Sequence, residues 1–293
     1  MNRLQTLTQV NLDDLVSSFG WQNQPVFARI LRKIFRAPAQ KFTNFMLEFD
    51  TAVGECGLVD AARLALRHYV RDVRVFGLER VPDSVFLALS NHPGMTDTLA
   101  LFCALNRPAL KIIALDRPFL MALPNTSRQL FYLKDNPASR MALVRQVSGH
   151  LRGGGAALTF PAGEIEPDPN VYPGAVDALQ TWTDSVGVFV RMAPDTVILP
   201  VLVRNVIWDK TAKHPLLKVK KTREEREKLA AALQLLAMVM WNVKPVTVTV
   251  QIGKPIDPKT LGTTDTQILH QAVLSEIKSL IENPPEGVGV SVL

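Results

Sequence analysis

The chain has 293 residues, 47% hydrophobic and 20% charged, which supplies a buried core and argues against a disordered chain. Its 33 Lys and Arg against 27 Asp and Glu leave a net charge of +6, a mild bias towards anionic partners. The two cysteines, Cys56 and Cys103, lack metal-ligand spacing and read as reduced, buried thiols of a cytoplasmic protein, not as the framework of a disulfide-built secreted domain.

The opening stretch MNRLQTLTQVNLDDL has no unbroken apolar run and carries Asp13 and Asp14, so no secretory leader is expected there. Residues 1–70 read as an N-terminal helical region. Within it, PVFARILRKIFRAPAQKF places Val26, Phe27, Ile30, Leu31, Ile34 and Phe35 on one stripe, with Arg29, Arg32, Lys33 and Arg36 on the rest of the surface. No acid occurs between Asp14 and Glu48. A basic amphipathic helix over 24–36 fits two roles: a helix packed on a core with a solvated basic face, or a helix lying on an anionic membrane surface.

From residue 71 short β-rich runs alternate with helical stretches. VRDVRVFG, SVFLALS, LKIIAL, QLFYLK, GAALTF, TVILPVLV and VTVTVQIG read as strands. TDTLALFCAL, ASRMALVRQVSGHLRGG, GAVDALQTWT, REEREKLAAALQLLAMVMW and DTQILHQAVLSEIKSLI carry helical periodicity. The alternation predicts an α/β domain over 71–283, with a largely parallel central sheet flanked by helices, and a flexible tail over 284–293. The longest apolar candidate, VGVFVRMAPDTVILPVLV, is cut by Arg191, Pro194 and Asp195, so no membrane span is expected. Any work on lipid is done from the surface.

The chemistry concentrates in LALSNHPGMTDTLAL, residues 87–101. In a single helix, His92 and Asp97 would lie about 140° apart. Pro93 and Gly94 instead suit a turn, with the strand ending at Ser90 and a helix starting near Met95 or Thr96. Asp97 then falls in the first helical turn, where the imidazole can fold back onto it. A carboxylate on one ring nitrogen fixes the tautomer and leaves the other nitrogen as a general base. The bland alternative is that His92 caps the helix and Asp97 is a favourable acid in its first turn. No G-x-S-x-G, no P-loop lysine and no activated cysteine accompanies the pair. A base without a protein nucleophile points to direct attack by a substrate hydroxyl, amine or water. No second pair with ligand spacing suggests a metal.

NHPGMTD resembles the N-H-x-x-x-x-D signature of the glycerolipid acyltransferases, the glycerol-3-phosphate and lysophosphatidic acid acyltransferase superfamily. Three further blocks follow in family order. RQLFYLK (128–134) is similar to the second, which ends in arginine where this chain has Lys134. FPAGEIE (160–166) is similar to F-P-E-G-T-R-S, and VILPVLV (197–203) to the fourth, an apolar strand with a central proline. The resemblance spans about residues 70–255 and implies phospholipid biosynthesis: acyl transfer from an acyl thioester, acyl-CoA or acyl-carrier protein, to a hydroxyl of a glycerolipid-type acceptor. It makes His92 the general base and Asp97 its support. It assigns substrate contacts to Asn91, Lys134, Arg140, Phe160, Pro161, Gly163 and Glu164, with no metal and no cofactor beyond the acyl co-substrate.

Departures fall in the third block, where Ala162 replaces Glu, and Glu164 and Ile165 replace Thr and Arg. With Lys134 in place of arginine, two forks suited to bidentate phosphate binding are gone. Glu164 either binds a cationic or hydroxyl-rich acceptor or caps the following turn. EPDPN reads as loop chemistry with Glu166 and Asp168 solvated. Lys210, Lys213, Lys218, Lys220, Lys221 and Arg223 form a basic run that is either a solvated loop or a landing patch for anionic lipid or an acidic carrier. Together with helix 24–36 it implies a cytoplasmic protein held peripherally at the inner face of the membrane, and no nucleic-acid partner. A hydrolase on the same dyad and a non-catalytic lipid-binding protein are the alternatives.

Overall fold

A computed structural model describes residues 3–19, 25–134 and 136–293. Three helices lead: α1 (Arg3–Phe19), α2 (Pro25–Cys56) and α3 (Leu58–Tyr69). Strand β1 (Asp72–Phe76) follows, then β2 (Phe86–Ser90), α4 (Met95–Leu105) and β3 (Leu110–Leu115). Two short helices, α5 (Pro118–Met121) and α6 (Pro124–Ser127), precede β4 (Leu130–Leu133), α7 (Pro137–Arg152) and β5 (Ala156–Thr159). Next come α8 (Ala175–Ala178), α9 (Ser185–Met192), β6 (Val197–Arg204) and α10 (Asp209–Ala212). The chain closes with α11 (Arg223–Trp241), β7 (Thr247–Ile252), α12 (Thr266–Glu282) and β8 (Val290–Ser291).

The strands form one sheet in the order β4-β3-β5-β2-β6-β7-β1-β8. From β4 to β6 every pairing is parallel; β7 runs antiparallel to β6 and parallel to β1. The α/β class with a largely parallel sheet is therefore observed, with helices on both faces. On one face Ala88, Leu199, Val201 and Val250 pack against Ala61 and Leu66 of α3 and Leu101 and Leu105 of α4. On the other, Leu87, Leu89, Ala157 and Leu202 meet Val147 of α7, Phe189 of α9 and Val273 and Ile277 of α12. Being covered on both sides, β2 buries all its residues, as the unbroken apolar run FLALS requires.

Two sequence expectations change. The helix expected over 24–36 runs from Pro25 to Cys56, continuing through Pro38; residue 24 lies outside the described residues. Its apolar stripe also divides. Leu31 and Phe35 join Ala28 in a core shared with Leu12, Leu15 and Val16 of α1 and Ala232 of α11. Val26, Phe27, Ile30 and Ile34 stay outside, with Ile30 50% and Ile34 59% exposed. The carboxyl-terminal half of α2 is tied to α6 through buried Asp50, which accepts from Thr126 N at 2.8 Å and from Arg3 Nη2 at 2.9 Å. The second change concerns the tail expected at 284–293, which carries β8: Val290 and Ser291 pair antiparallel with Val75 and Arg74 at the sheet edge. Among the described residues, no helix is long and apolar enough to cross a membrane.

Because β2, β5 and β6 are parallel neighbours, their carboxyl ends share one rim of the sheet. That rim brings together residues 91–97, 160–166 and 205–207, and an open α/β sheet places its ligand sites there.

Candidate active site at the carboxyl ends of β2, β5 and β6

Beyond Ser90 the chain leaves the sheet, and Asn91 takes over the pairing with its side chain. Asn91 Nδ2 donates to Val203 O at 2.9 Å, and Val203 N donates to Asn91 Oδ1 at 2.8 Å. Both ends of the buried amide are thereby occupied. Asn91 thus pins the β2 end to β6.

The turn then places His92 against the start of α4. Gly94 is extended, and a Cβ there would come within a tight 3.1 Å of Val206 Cγ1, so any larger residue makes that side chain give way. Asp97 is fully buried in the first turn. Its Oδ2 accepts from Gly94 N at 2.8 Å and meets His92 Nδ1 at 2.9 Å. Its Oδ1 accepts from Thr98 Oγ1 at 3.0 Å and from Thr98 N. The carboxylate thus closes the helix start and orients the imidazole at once, whereas His92 caps nothing. An ionised Asp97 requires Nδ1 to carry the proton, which leaves the Nε2 lone pair on the other side of the neutral ring. The His92 side chain is 28% exposed, and among the described residues no hydrogen bond occupies Nε2. Burial disfavours its cation, but the charge and hydrogen bond of Asp97 and the charge of Glu166 outweigh that and raise the imidazole above its ordinary value.

The connection after β5 forms the adjoining wall. Phe160 stacks on His92, ring centroids 4.6 Å apart and planes at 29°. Pro161 is buried, and Gly163 turns the chain at φ 70°, with its N–H on Phe160 O at 3.0 Å. Glu164 and Ile165 are exposed on this loop.

Two carboxylates read from the sequence as solvated are buried instead. Glu166 accepts from His92 N at 3.1 Å and from Trp182 Nε1 at 2.7 Å. Asp168 accepts from Asn170 N and Asn205 N through Oδ1, both at 3.1 Å, and from Val206 N at 2.6 Å and Ile207 N at 3.0 Å through Oδ2. Burial raises the Asp168 carboxyl, while these N–H groups pull it back. Residues 166–170 therefore strap the β2 end to the β6 end. Nothing in EPDPN distinguishes this from an exposed turn, because the distant partners lie just past the ends of β2 and β6 and in the segment holding Trp182.

Lys134 stands apart from the pair. Exposed Lys134 follows β4, and β3 and β5 separate that strand from β2, so the strand axes lie roughly 14 Å apart. Arg140 is exposed in the first turns of α7. Of the expected substrate contacts, Phe160 is brought directly onto the His92 ring, with Pro161, Gly163 and Glu164 on the same loop.

The chain matches no family model. No curated protein matches it. Over 96% of its length it is similar to 98% of the chain of a crystal structure, the 1-acyl-sn-glycerophosphate (LPA) acyltransferase PlsC from Thermotoga maritima, at 19% identity and a TM-score of 0.46.

Proposed function

We propose that the protein transfers a fatty acyl group from an acyl thioester, acyl-CoA or an acyl-carrier protein, to a hydroxyl of a glycerolipid-type acceptor. The observation that carries this reading is the 2.9 Å contact between His92 Nδ1 and buried Asp97 at the carboxyl end of β2, within the N-H-x-x-x-x-D pattern. His92 Nε2 takes the proton of the acceptor hydroxyl, and Asp97 stabilises the imidazolium that forms. The acceptor oxygen attacks the thioester carbonyl carbon. On collapse the C–S bond breaks, and the thiolate leaves with the proton from the imidazolium. One O–H and one C–S bond are exchanged for one C–O and one S–H bond.

The acceptor enters along the Phe160–Glu164 loop. The outer face of α2 supports docking on an anionic membrane at its inner surface: Ile30 and Ile34 are exposed beside exposed Arg29, Arg32, Lys33 and Arg36. Lys218 and Lys221, ahead of α11, are exposed basic residues as well.

The test supplies the full chain with one labelled acyl-CoA and a panel of glycerol-based and aminolipid acceptors, with the product identified by mass. Acyl transfer that needs both an acceptor and His92 is the expected result. Thiol release that ignores the acceptor would replace this reading with hydrolysis on the same dyad.

A further inference from the structure

Glu166 encloses His92 in a way the dyad itself does not require. Its N–H donates to His92 O at 2.9 Å while its Oε2 accepts the His92 N–H at 3.1 Å, so one residue holds both backbone polar groups of His92. Trp182 Nε1 donates to Oε1 at 2.7 Å and fixes the carboxylate through its second oxygen. Glu166 is 5% exposed and Trp182 4%. An interior carboxylate is costly, and a neutral side chain would avoid that cost. The titratable groups that act on it are His92 and Asp97, and Glu166 in turn acts on the imidazole. Burial pushes the Glu166 carboxyl up to about 7, against the hydrogen bonds from Trp182 and the His92 N–H and the attraction of the imidazolium, with Asp97 adding to the rise.

We propose that Glu166 is a positioning residue of the His92–Asp97 pair: it fixes the His92 backbone so that the ring meets Asp97, and it places a second negative charge in the field of that ring. Its carboxylate bonds the backbone of His92, so its effect on the reaction passes through His92. The role in catalysis rests on His92 being the base, but the decisive measurement needs no turnover.

That measurement is the pH titration of the His92 imidazole by NMR in the full chain with labelled histidine, the His92 signal assigned by its loss in His92→Gln. In the wild type the charge of Glu166 adds to that of Asp97 in raising the imidazole. In Glu166→Gln its midpoint falls by about 0.5–1 unit. Trp182→Phe keeps the carboxyl but removes an N–H that favours its ionised form, so the midpoint falls by less. Urea unfolding establishes which variants fold, and Trp182→Phe decides the matter if Glu166→Gln does not. A His92 curve that superimposes on the wild type in the folded variants would overturn the proposal and leave Glu166 a purely structural residue. A lowered midpoint in a protein that acylates no acceptor would keep the positioning role and sink the acyl-transfer reading instead.

Discussion

Asn91 and Val203 exchange two hydrogen bonds, side-chain Nδ2 to backbone O at 2.9 Å and backbone N to side-chain Oδ1 at 2.8 Å. The amide stands in for a strand residue where the β2 backbone turns away, and His92 is the next residue along. Asn91→Ala leaves a buried N–H and a buried carbonyl of Val203 unpaired, which costs about 1–3 kcal/mol. Urea unfolding of the variant should show that loss, and acyl transfer should fall with it because the support of His92 is gone.

Asp97 does two jobs, and they separate on substitution. Asp97→Asn keeps the size and one acceptor oxygen but removes the charge that supports the imidazolium. We expect acyl transfer to drop ~10²–10⁴-fold. The rate requires neutral His92, so activity rises with pH through the raised imidazole value, and in Asp97→Asn that acid limb moves to lower pH. A pH–rate profile for both proteins checks the direction; an unmoved limb would detach it from His92.

Glu166 and His92 shift stability in the same direction. Each binds its proton more tightly in the folded chain than in the unfolded one, so stability is fullest below the unfolded values and is lost as pH rises through the folded ones. For Glu166, raised from 4.5 to about 7, the loss between those values is roughly 3 kcal/mol. Denaturant unfolding at pH 5 and pH 8 should therefore find the protein weaker at pH 8. Glu166→Gln should flatten much of that difference, since its side chain does not titrate.

The outward face of α2 offers a test independent of the active site. Ile30→Asp with Ile34→Asp removes apolar area and adds charge of the wrong sign for an anionic surface, without touching inward-facing Leu31 and Phe35. Sedimentation with vesicles containing phosphatidylserine should show binding at least ~10-fold weaker, and wild-type binding should fall with added salt. Binding equal in both proteins would remove α2 from the membrane contact.

The legible parts of this protein were those written in local pattern. Unbroken apolar runs such as FLALS and VILPVLV can be strands only inside a covered sheet, and the Pro93–Gly94 break between strand and helix sets His92 facing Asp97. The stripe of α2 misled because periodicity marks apolar positions without saying how many are covered: Leu31 and Phe35 are buried with α1 and α11 residues, and Ile30 and Ile34 stay half or more exposed. The tail misled for a related reason, since a two-residue strand takes its order from the β1 edge it joins.

Sequence alone determined the α/β class, the strand segments from β1 to β7 and the spacing that lets His92 meet Asp97, because each depends on residues close together in the chain. Only the tertiary structure decided which polar groups are buried. It tied Asn91 to Val203 of β6, left Lys134 two strands away from His92, and turned Glu166 and Asp168 from loop acids into ties of the rim at the β2 and β6 ends. A carboxylate's burial is set by the N–H groups that fold around it, and those come from residues far away along the chain.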